Sequence, residues 1–354
     1  MTAAADPGPV DHLDDLTPGW LTAALRAGGH DVTVTVVSAT PVGHGQIGAN
    51  YRLNLEGHGF DAVPTHLVAK MGAGEDRSIV SGGYRKEVVF YTDLAPTVAV
   101  RTPQCWYGAI SADSTVFTLL LEDLAPAQTG DQLRGCTPAE AEAAVTNLAG
   151  LHGPRWNDLT LWDHPEFDPI DADSAAFLGE IFTSAVVTFV ERYRADLDDG
   201  HEATLHRVAE AIAPWAAARP ERFALGHGDY RLDNLLFHPD GRVSAVDWQT
   251  LSVGPPGRDL AYFCGTSLEP ADRREAERGL VAGYRQALAG HGVDLGEAEG
   301  FEDYRLGVLQ GPLITVLGAV YATAGRSERA DAMFLTMLHR GLAAVADLDP
   351  FALL

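Results

Sequence analysis

The stretch HGDYRLDN at residues 227–234 decides the fold of this chain, together with the stretch VDWQ at residues 246–249. The two stretches carry Asp229, Asn234 and Asp247, and the residues LLF and HPDGR between them predict a short hairpin. An aspartate followed five residues later by an asparagine, and then by a second aspartate after a hairpin, is the spacing of the catalytic and metal loops in kinase-type phosphoryl transfer.

These residue types suit that chemistry. A carboxylate can orient or accept the proton of an attacking hydroxyl group, which is the role predicted for Asp229. A second carboxylate and an amide oxygen can hold Mg²⁺, which prefers oxygen ligands, so Asn234 and Asp247 are predicted as its ligands. Aspartate and asparagine are also common in plain turns. The rest of the chain must therefore support the catalytic interpretation.

A glycine-rich segment, GHGQIG, contributes Gly43, Gly45 and Gly48. An alternating, β-branched run at 32–37 precedes it and a second strand pattern at 51–55 follows it. A dinucleotide-binding fingerprint needs a helix after its glycines, whereas a hairpin around glycines is typical of the loop that covers phosphates in kinases. The segment therefore predicts a phosphate loop, in which backbone N–H groups can approach the nucleotide closely.

Lysine is scarce in this chain, which has only Lys70 and Lys86 among its 25 lysines and arginines. Lys70 ends a predicted strand over 65–70, where phosphoryl transfer needs a compact ammonium group to bridge the phosphates and a helix carboxylate. Glu87, on a helix predicted over 83–94, is its expected partner. Lys86 should point about 100° away around that helix, so we interpret it as a surface charge. A solvated lysine at a strand end is the alternative for Lys70.

Two further segments fit the same scheme. Glu122, Asp123 and Leu124 end the fifth predicted strand, and they are predicted to form a hinge whose backbone pairs with the adenine of ATP. Asp259 opens a predicted helix, and its carboxylate either caps that helix or supports the catalytic loop from below; the two roles are compatible. His227 is predicted to support the same loop.

The order of these patterns predicts an α+β fold with two lobes. Strand patterns and one helix fill the first third of the chain, and long helical patterns fill the remainder, at 137–152, 172–196, 201–218, 270–290 and 303–346. We expect an N-lobe over 1–121 with an antiparallel sheet and one helix, a hinge over 122–126, and a mainly helical C-lobe over 127–354 that carries the catalytic loop, the metal site and the substrate-binding helices.

The composition limits the classes of binding partner that we expect. The formal net charge is −24, with 49 Asp and Glu against 25 Lys and Arg. This charge argues against nucleic acid or an anionic membrane as a partner, because both are bound through basic patches. Three scattered cysteines indicate a reducing compartment, and the N-terminus lacks the pattern of a signal peptide, so we expect a cytoplasmic protein. The apolar region at 308–325 contains a proline and polar residues, which predicts a buried helix.

Other chemistries fit the sequence poorly. The sequence contains no Gly-Lys dipeptide, which excludes a Walker-type phosphate loop. His201 and His206 flank Glu202 in a helical pattern, but five-residue spacing puts the two histidines about 140° apart around the helix. They are therefore not predicted to share a zinc ion.

Together these segments resemble the aminoglycoside phosphotransferase and choline kinase-like superfamily, small-molecule relatives of the protein kinases, and within it the ecdysteroid-kinase-like branch. The resemblance extends over most of the chain, from about residue 40 to about residue 350. Five segments carry it: YRKEVVFY (84–91), LLLEDL (119–124), HGDYRLDNLLF (227–237), VDWQ (246–249) and GPPGRDLAYF (254–263).

The resemblance implies a role for each matching residue. It implies that Asp229 is the catalytic base, that Asn234 and Asp247 are Mg²⁺ ligands, and that Lys70 and Glu87 form the ion pair that positions the phosphates. It likewise implies a phosphate loop, an adenine hinge and a brace of the catalytic loop, at Gly43 to Gly48, Glu122 to Leu124 and Asp259.

The sequence thus predicts an ATP- and Mg²⁺-dependent O-phosphotransferase that moves the γ-phosphoryl group of ATP to a hydroxyl of a small molecule. HGD and DWQ replace the HRD and DFG of protein kinases, and the interval from Asp247 to Asp259 is too short for an activation segment. The alternatives are a nucleotide-binding regulator without catalysis and, less favoured, a protein kinase. Five aromatic residues could line an apolar substrate pocket, although helix packing is the expected role for most of them: Trp156, Trp162, Phe177, Phe182 and Phe189.

Overall fold

The protein is represented by a computed structural model that describes residues 5–42, 48–73, 77, 80–321 and 327–354. Its contacts divide the chain into two compact units. The first unit comprises Met1–Thr97, Thr102–Pro126 and Asp247–Leu251, and the second comprises Val98–Arg101, Ala127–Val246 and Ser252–Leu354. Contacts thus group 247–251 with the first unit, although chain order placed this segment in the predicted C-lobe.

The first unit is built on a five-stranded antiparallel sheet with the order β1-β2-β3-β5-β4. Its strands are β1 (Thr33–Pro41), β2 (Gly48–His58), β3 (His66–Gly72), β4 (Cys105–Ile110) and β5 (Phe117–Glu122). Helix α1 (Pro18–Ala27) begins with the hydroxyl of Thr17 as its N-cap. Helix α2 (Ser81–Val89) continues into a π-helical turn at Phe90–Leu94. The helical segment predicted to Leu94 is therefore α-helical only to Val89.

The alternation of side chains along β3 decides where its lysine lies. Leu67, Ala69 and Met71 belong to the buried core of the first unit. Because successive side chains of a strand point to opposite faces, Lys70 lies on the other face of the sheet. In the register of the sheet, Lys70 pairs with Asn50 of β2 and with Leu119 of β5.

The second unit is mainly helical. Its helices are α3 (Pro138–His152), α4 (Ala172–Arg192), α5 (Asp199–Ala216), α6 (Gly257–Ser267), α7 (Pro270–Ala289), α8 (Glu297–Gly307), α9 (Gln310–Tyr321) and α10 (Glu328–Leu348). Its short strands are β6 (Gln128–Thr129), β7 (Ala224–Gly226), β8 (Leu235–Phe237), β9 (Val243–Ala245) and β10 (Ser252–Gly254). Strands β8 and β9 form the hairpin that the sequence predicts, and β7 pairs with β10.

Most predicted helices of this unit are present, and one long pattern is divided. The N-terminus of α3 has a capping box in which Thr137 and Glu140 each bond the backbone of the other. The helical pattern over 303–346 is shared among α8, α9 and α10. At the end of α8 the backbone approaches α6 closely, since a Cβ added at Gly307 would lie 2.3 Å from the carbonyl oxygen of Gly257. Periodicity alone does not report such a backbone contact.

Helix α4 is the one described helix that is long and apolar enough to cross a membrane by length and composition alone. Such a composition is also found in core helices, and α4 packs against α5 and α9. Phe182 and Phe189 are fully buried, as helix packing predicts for them, whereas Phe177 is exposed.

Candidate active site

Lys70 is the centre of a buried ion-pair cluster in the first unit. Its ammonium Nζ lies 2.6 Å from Glu87 Oε1 and 3.3 Å from Asp247 Oδ1. The side chains of Lys70 and Glu87 are 10% and 1% exposed, whereas that of Asp247 is 44% exposed. The structure therefore brings together three residues that lie on β3, on α2 and after the β8–β9 hairpin, and the third of them opens the cluster to solvent.

The two carboxylates keep Lys70 charged. Burial alone would lower the pKa of its ammonium group, because desolvation disfavours the charged form. Asp247 and Glu87 outweigh that effect by their negative charges and hydrogen bonds, and they raise the pKa of Lys70 above its ordinary value. The cluster thus holds a permanent positive charge against two carboxylates.

Gly48, the last glycine of the predicted phosphate loop, leaves room for this lysine. It is the first residue of β2, and a Cβ added there would lie 3.2 Å from Lys70 Cε and 3.3 Å from the carbonyl oxygen of Met71. Both distances are tighter than ordinary van der Waals contact, so a side chain at this position would displace the lysine. The other two glycines of the predicted loop, Gly43 and Gly45, lie outside the described residues.

The segment after Asp247 is tied to α2 by two side chains that the sequence did not single out. Gln249 Nε2 donates to Glu87 Oε2 at 3.2 Å, so both oxygens of that glutamate are bonded. Trp248 stacks on Phe90 with ring centroids 3.4 Å apart and an interplanar angle of 11°. Asp247 itself has a left-handed backbone, with φ of 68°, which is uncommon for a residue other than glycine. These contacts fix the direction in which its carboxylate points.

The predicted hinge is held by its side chains. Asp123 accepts two hydrogen bonds from Arg52, at 2.6 and 3.1 Å, and a third from the N–H of Ala125 at 3.1 Å. Glu122 accepts from the N–H of Gln104 at 3.2 Å. The two carboxylates thus hold the course of this segment. Its role in pairing with a nucleotide base stays a prediction, as does that of the half-buried Leu124 beside them.

In the second unit, Asp259 of α6 holds the start of the predicted catalytic loop. The backbone N–H groups of His227 and Gly228 donate to its Oδ2 and Oδ1 at 2.6 and 2.9 Å. Within the described part of the chain, no side-chain cap bond is present at the N-cap of α6, Pro256, so of the two roles predicted for Asp259 the geometry shows the bond to the loop. His227 Nδ1 accepts from the N–H of Asp229 at 3.3 Å, and its Nε2 lies 3.0 Å from the carbonyl oxygen of Val246. His227 therefore ties the loop to the end of the hairpin.

The surroundings of Asp259 favour its ionised form. Burial alone would raise the pKa of this carboxyl group. The side chain of His152, whose Nε2 lies 3.4 Å from Asp259 Oδ2, together with the His227 ring and backbone N–H, outweighs burial and lowers the pKa below its usual value.

Three donors converge on the carboxylate of Asp229. Tyr262 of α6 donates its hydroxyl to Oδ1 at 2.6 Å. Arg231 Nε and Asn234 Nδ2 donate to Oδ2 at 3.0 and 2.9 Å. The side chain of Asp229 is 20% exposed. The structure thus brings Asp229 and Asn234 together, as the predicted loop requires, and adds two partners that sequence reasoning missed.

The surroundings of Tyr262 and Arg231 keep the first protonated and the second positively charged. Burial and the charge of Asp229 raise the pKa of Tyr262 well above its ordinary value, so its hydroxyl remains a donor. Burial alone would lower the pKa of Arg231, but Asp229 and Asp233 raise it. One signal for Tyr262 was available in the sequence, because it lies three residues after Asp259 and therefore on the same face of the helix.

The predicted metal ligands fit Mg²⁺ by their chemistry. Asn234 uses its amide nitrogen to bond the main-chain oxygen and Oδ2 of Asp229, each at 2.9 Å, which leaves its amide oxygen as the metal-binding atom. Asp247 supplies a partly exposed carboxylate. These are hard oxygen donors of the kind that Mg²⁺ prefers, with water and phosphate as its other ligands. Asn234 belongs to the second unit and Asp247 to the first. Within the described ranges, no group of three or more His, Cys, Asp or Glu residues could hold a metal ion.

Parts of the chain are similar to parts of curated proteins. A segment of 135 residues is 34% identical to acyl-CoA dehydrogenase family member 10 of Mus musculus, and it makes up 37% of this chain and 12% of that protein. The match therefore spans only a small part of that relative. A segment of 83 residues is 56% identical to acyl-CoA dehydrogenase family member 11 of Gallus gallus, and it makes up 22% of this chain and 11% of that protein.

Among solved structures, choline kinase from Cryptosporidium parvum Iowa II has a TM-score of 0.53 and 12% identity, and the match covers 90% of this chain and 92% of that one. At this identity, the likeness shows the fold alone. The α+β kinase-like fold predicted from the sequence, with an antiparallel sheet first and helices after it, is thereby confirmed.

The sequence profile of the phosphotransferase enzyme family, designated APH, matches residues 38–301, which is well over half of the 354 residues. The matched range includes the Lys70 cluster of the first unit and the loop from His227 to Asn234 in the second. The chain therefore belongs to the phosphotransferase enzyme family.

Proposed function

We propose that the protein transfers the γ-phosphoryl group of ATP, in the presence of Mg²⁺, to a hydroxyl group of a small molecule. The observation that carries the proposal is the carboxylate of Asp229, which is partly exposed and fixed by three donors on a loop that Asp259 holds from beneath. A carboxylate held in this way is suited to orient an attacking hydroxyl.

Each remaining group has a role in the proposed reaction. The ammonium of Lys70, held by Glu87, attracts the phosphates of the nucleotide, and Gly48 leaves that ammonium unobstructed. Asn234 and Asp247 would hold Mg²⁺ through an amide oxygen and a carboxylate oxygen. When bound, the metal ion neutralises charge on the transferring group. Asp229 receives the hydroxyl of the acceptor and aligns its oxygen for in-line attack.

Two features favour this function over the alternatives. Lys70, Asp229, Asn234 and Asp247 are all present, which supports a working enzyme over a regulator that only binds nucleotide. The interval between Asp247 and Asp259 contains β10, which pairs with β7, and this supports a small-molecule acceptor over a protein, since an activation segment has no room there. Assignment to the ecdysteroid-kinase-like branch and a cytoplasmic location stay predictions.

The test is ADP release from MgATP over a panel of hydroxyl compounds. The panel contains aminoglycosides, macrolides, choline, hydroxy acids and sterols. Hydroxyacyl thioesters are added because two partial relatives are named acyl-CoA dehydrogenase family members. MgGTP serves as a second phosphoryl donor, and omission of Mg²⁺ tests the metal requirement.

Asp229→Ala is the control variant. We expect it to lower kcat by at least about 100-fold, because a positioned carboxylate contributes that much to proton transfer, while MgATP binds as before. ADP release that appears with one compound and disappears in the variant would support the proposal and name the acceptor class. Full turnover by Asp229→Ala would contradict the role of Asp229. Tight MgATP binding without turnover on any compound would favour the regulator.

A further inference from the structure

Helix α6 supports the catalytic loop at two points one turn apart. Asp259 accepts from the backbone of the loop, and Tyr262, three residues later, donates to the side chain of Asp229. The ring of Tyr262 is fully buried and packs in an apolar cluster with Met333 and Met337 of α10. The position of its hydroxyl is therefore set by the packing of two helices and not by the loop that carries Asp229.

The donors around Asp229 distinguish its two oxygens. A carboxylate oxygen can accept about two hydrogen bonds. Oδ2 already accepts from Arg231 and Asn234, so its capacity is filled. Among the residues that the structure describes, Oδ1 accepts only from Tyr262, which leaves room for one further hydrogen bond. Of the two oxygens of this partly exposed side chain, Oδ1 alone thus has capacity for a further donor within the described structure.

We infer that Oδ1 of Asp229 is the oxygen that receives the proton of the acceptor hydroxyl, and that Tyr262 is a positioning residue that fixes this oxygen. The inference rests on the proposed function and adds which atom reacts and what aims it. In the step, the acceptor oxygen bonds to the γ-phosphorus while the bond from that phosphorus to the β–γ bridging oxygen breaks. The electron pair of that bond leaves on ADP, and the hydroxyl proton passes to Asp229 Oδ1.

The contact geometry explains why this position needs tyrosine. The hydroxyl-to-carboxylate distance of 2.6 Å is that of a strong, charge-assisted hydrogen bond. Without the Tyr262 hydroxyl, Oδ1 loses this donor. The carboxylate can then rotate about the bond to Cβ, and the hydrogen bonds to Oδ2 alone do not fully prevent that rotation. A small rotation of the reacting oxygen is costly, because in-line transfer depends on close alignment of the reacting atoms.

The experiment removes this one hydroxyl and uses a matched tyrosine as its control. Tyr262→Phe deletes the bond to Asp229. Tyr304→Phe deletes the hydroxyl of another fully buried tyrosine in the same unit, which bonds the carboxylate of Glu277 at 3.1 Å. For wild type and both variants, kcat and KM for MgATP are measured by ADP release with the best acceptor of the panel, and with water as acceptor where the panel yields none.

We expect Tyr262→Phe to lower kcat by about 10- to 100-fold, the loss that corresponds to one hydrogen bond to a charged group, with KM for MgATP changed less than about 2-fold. Tyr304→Phe should keep the wild-type kcat. The same change is then made in the Asp229→Ala background, where Tyr262→Phe should have no further effect because the residue it positions is gone.

The outcomes separate three possibilities. Wild-type kcat in Tyr262→Phe would overturn the inference and leave the proposed function standing. A loss in Tyr262→Phe that persists fully in the Asp229→Ala background would also overturn it, because such a loss would come from a general defect of the fold. Absence of turnover by the wild type with every acceptor, water included, would contradict the proposed function and the inference with it.

Discussion

The two units hold their central charged groups in opposite ways. In the first unit one cation, Lys70, is shared by two carboxylates, Glu87 and Asp247. In the second unit one carboxylate, Asp229, is shared by three donors, of which Arg231 is charged. The first arrangement keeps a positive charge in a buried place, where it can attract phosphates. The second arrangement fixes the direction of a carboxylate that, in the proposed reaction, receives a neutral hydroxyl.

This difference predicts how each cluster responds when one of its side chains is removed. Removing Lys70 leaves two acidic side chains facing each other, and one of them is almost fully buried. Removing a single donor from Asp229 leaves the carboxylate with others. We therefore expect substitutions in the first cluster to act on nucleotide affinity and on stability together. Substitutions around Asp229 should act mainly on kcat.

The largest effect predicted from this comparison belongs to Lys70→Met. It should lower kcat/KM for MgATP by about 100- to 1,000-fold, because a charge aimed at the phosphates is lost. It should also destabilise the fold by about 3–5 kcal/mol, since Glu87 becomes an uncompensated buried charge. Steady-state kinetics and urea denaturation check the two effects. Lys86→Met, at the only other lysine, is the matched control, and equal losses in the two variants would contradict the assignment of Lys70.

An intermediate effect is predicted for Asp259→Asn, which tests the support of the second cluster. Asparagine offers one acceptor oxygen and one amide group where two backbone N–H groups point, so one buried donor loses its partner. We expect a loss of about 1–3 kcal/mol of unfolding free energy at neutral pH. Asp171→Asn, at the exposed N-cap of α4, should change stability little, because asparagine caps a helix as well as aspartate does.

The same variant carries a pH prediction. The pKa of Asp259 is lowered in the folded protein, where burial is outweighed by His152 and His227. A depressed carboxyl pKa stabilises the fold above the unfolded value, about 3.9, and this stabilisation is lost as the pH falls through the folded value. The stability gap between wild type and Asp259→Asn should therefore be constant near neutral pH and shrink below about pH 4. A gap that widens on acidification would contradict the sign of the shift.

Much of both clusters could be predicted from the sequence, because their spacing along the chain is local. Asn234 lies five residues after Asp229, and the pattern around Lys70 is that of a strand that ends beside a helix carboxylate. The fold class followed from the change from alternating to helical patterns. The parts that were missed depend on packing between distant segments. Tyr262 meets Asp229 across 33 residues, and Gln249 meets Glu87 across 162.

Two further features of the structure depend on contacts between distant segments. The helical pattern over 303–346 hides the end of α8, where Gly307 lies against the backbone of Gly257. The contacts of 247–251 lie with the first unit, although the residues on both sides of it belong to the second. Trp248 shows why, since its ring stacks on Phe90 of the π-helical turn after α2. Composition and periodicity report neither kind of contact.

The smallest predicted effect sharpens the comparison at the edge of the first cluster. Gln249 donates to Glu87 Oε2, while Lys70 occupies Oε1, so Gln249 acts on the lysine only through the glutamate. Gln249→Ala should therefore lower kcat/KM for MgATP by only about 2- to 10-fold, the effect of one ordinary hydrogen bond. Gln249→Glu should do more, because a second carboxylate beside Glu87 competes for the same cation.

Steady-state kinetics with MgATP measure both changes, and Gln286→Ala, on an exposed position of α7, is the control for loss of a glutamine side chain. If Glu87 is held by Lys70 alone, neither variant at position 249 will differ from wild type. If Lys70 is shared by two carboxylates as described, Gln249→Glu will lower kcat/KM for MgATP more than Gln249→Ala does. Added salt should reduce this difference only slightly, because Glu87 and Lys70 are nearly shielded from solvent. If Gln249→Ala lowers kcat/KM for MgATP more than Lys70→Met does, then Gln249 does not act through Glu87 and Lys70, and the shared-cation arrangement is wrong.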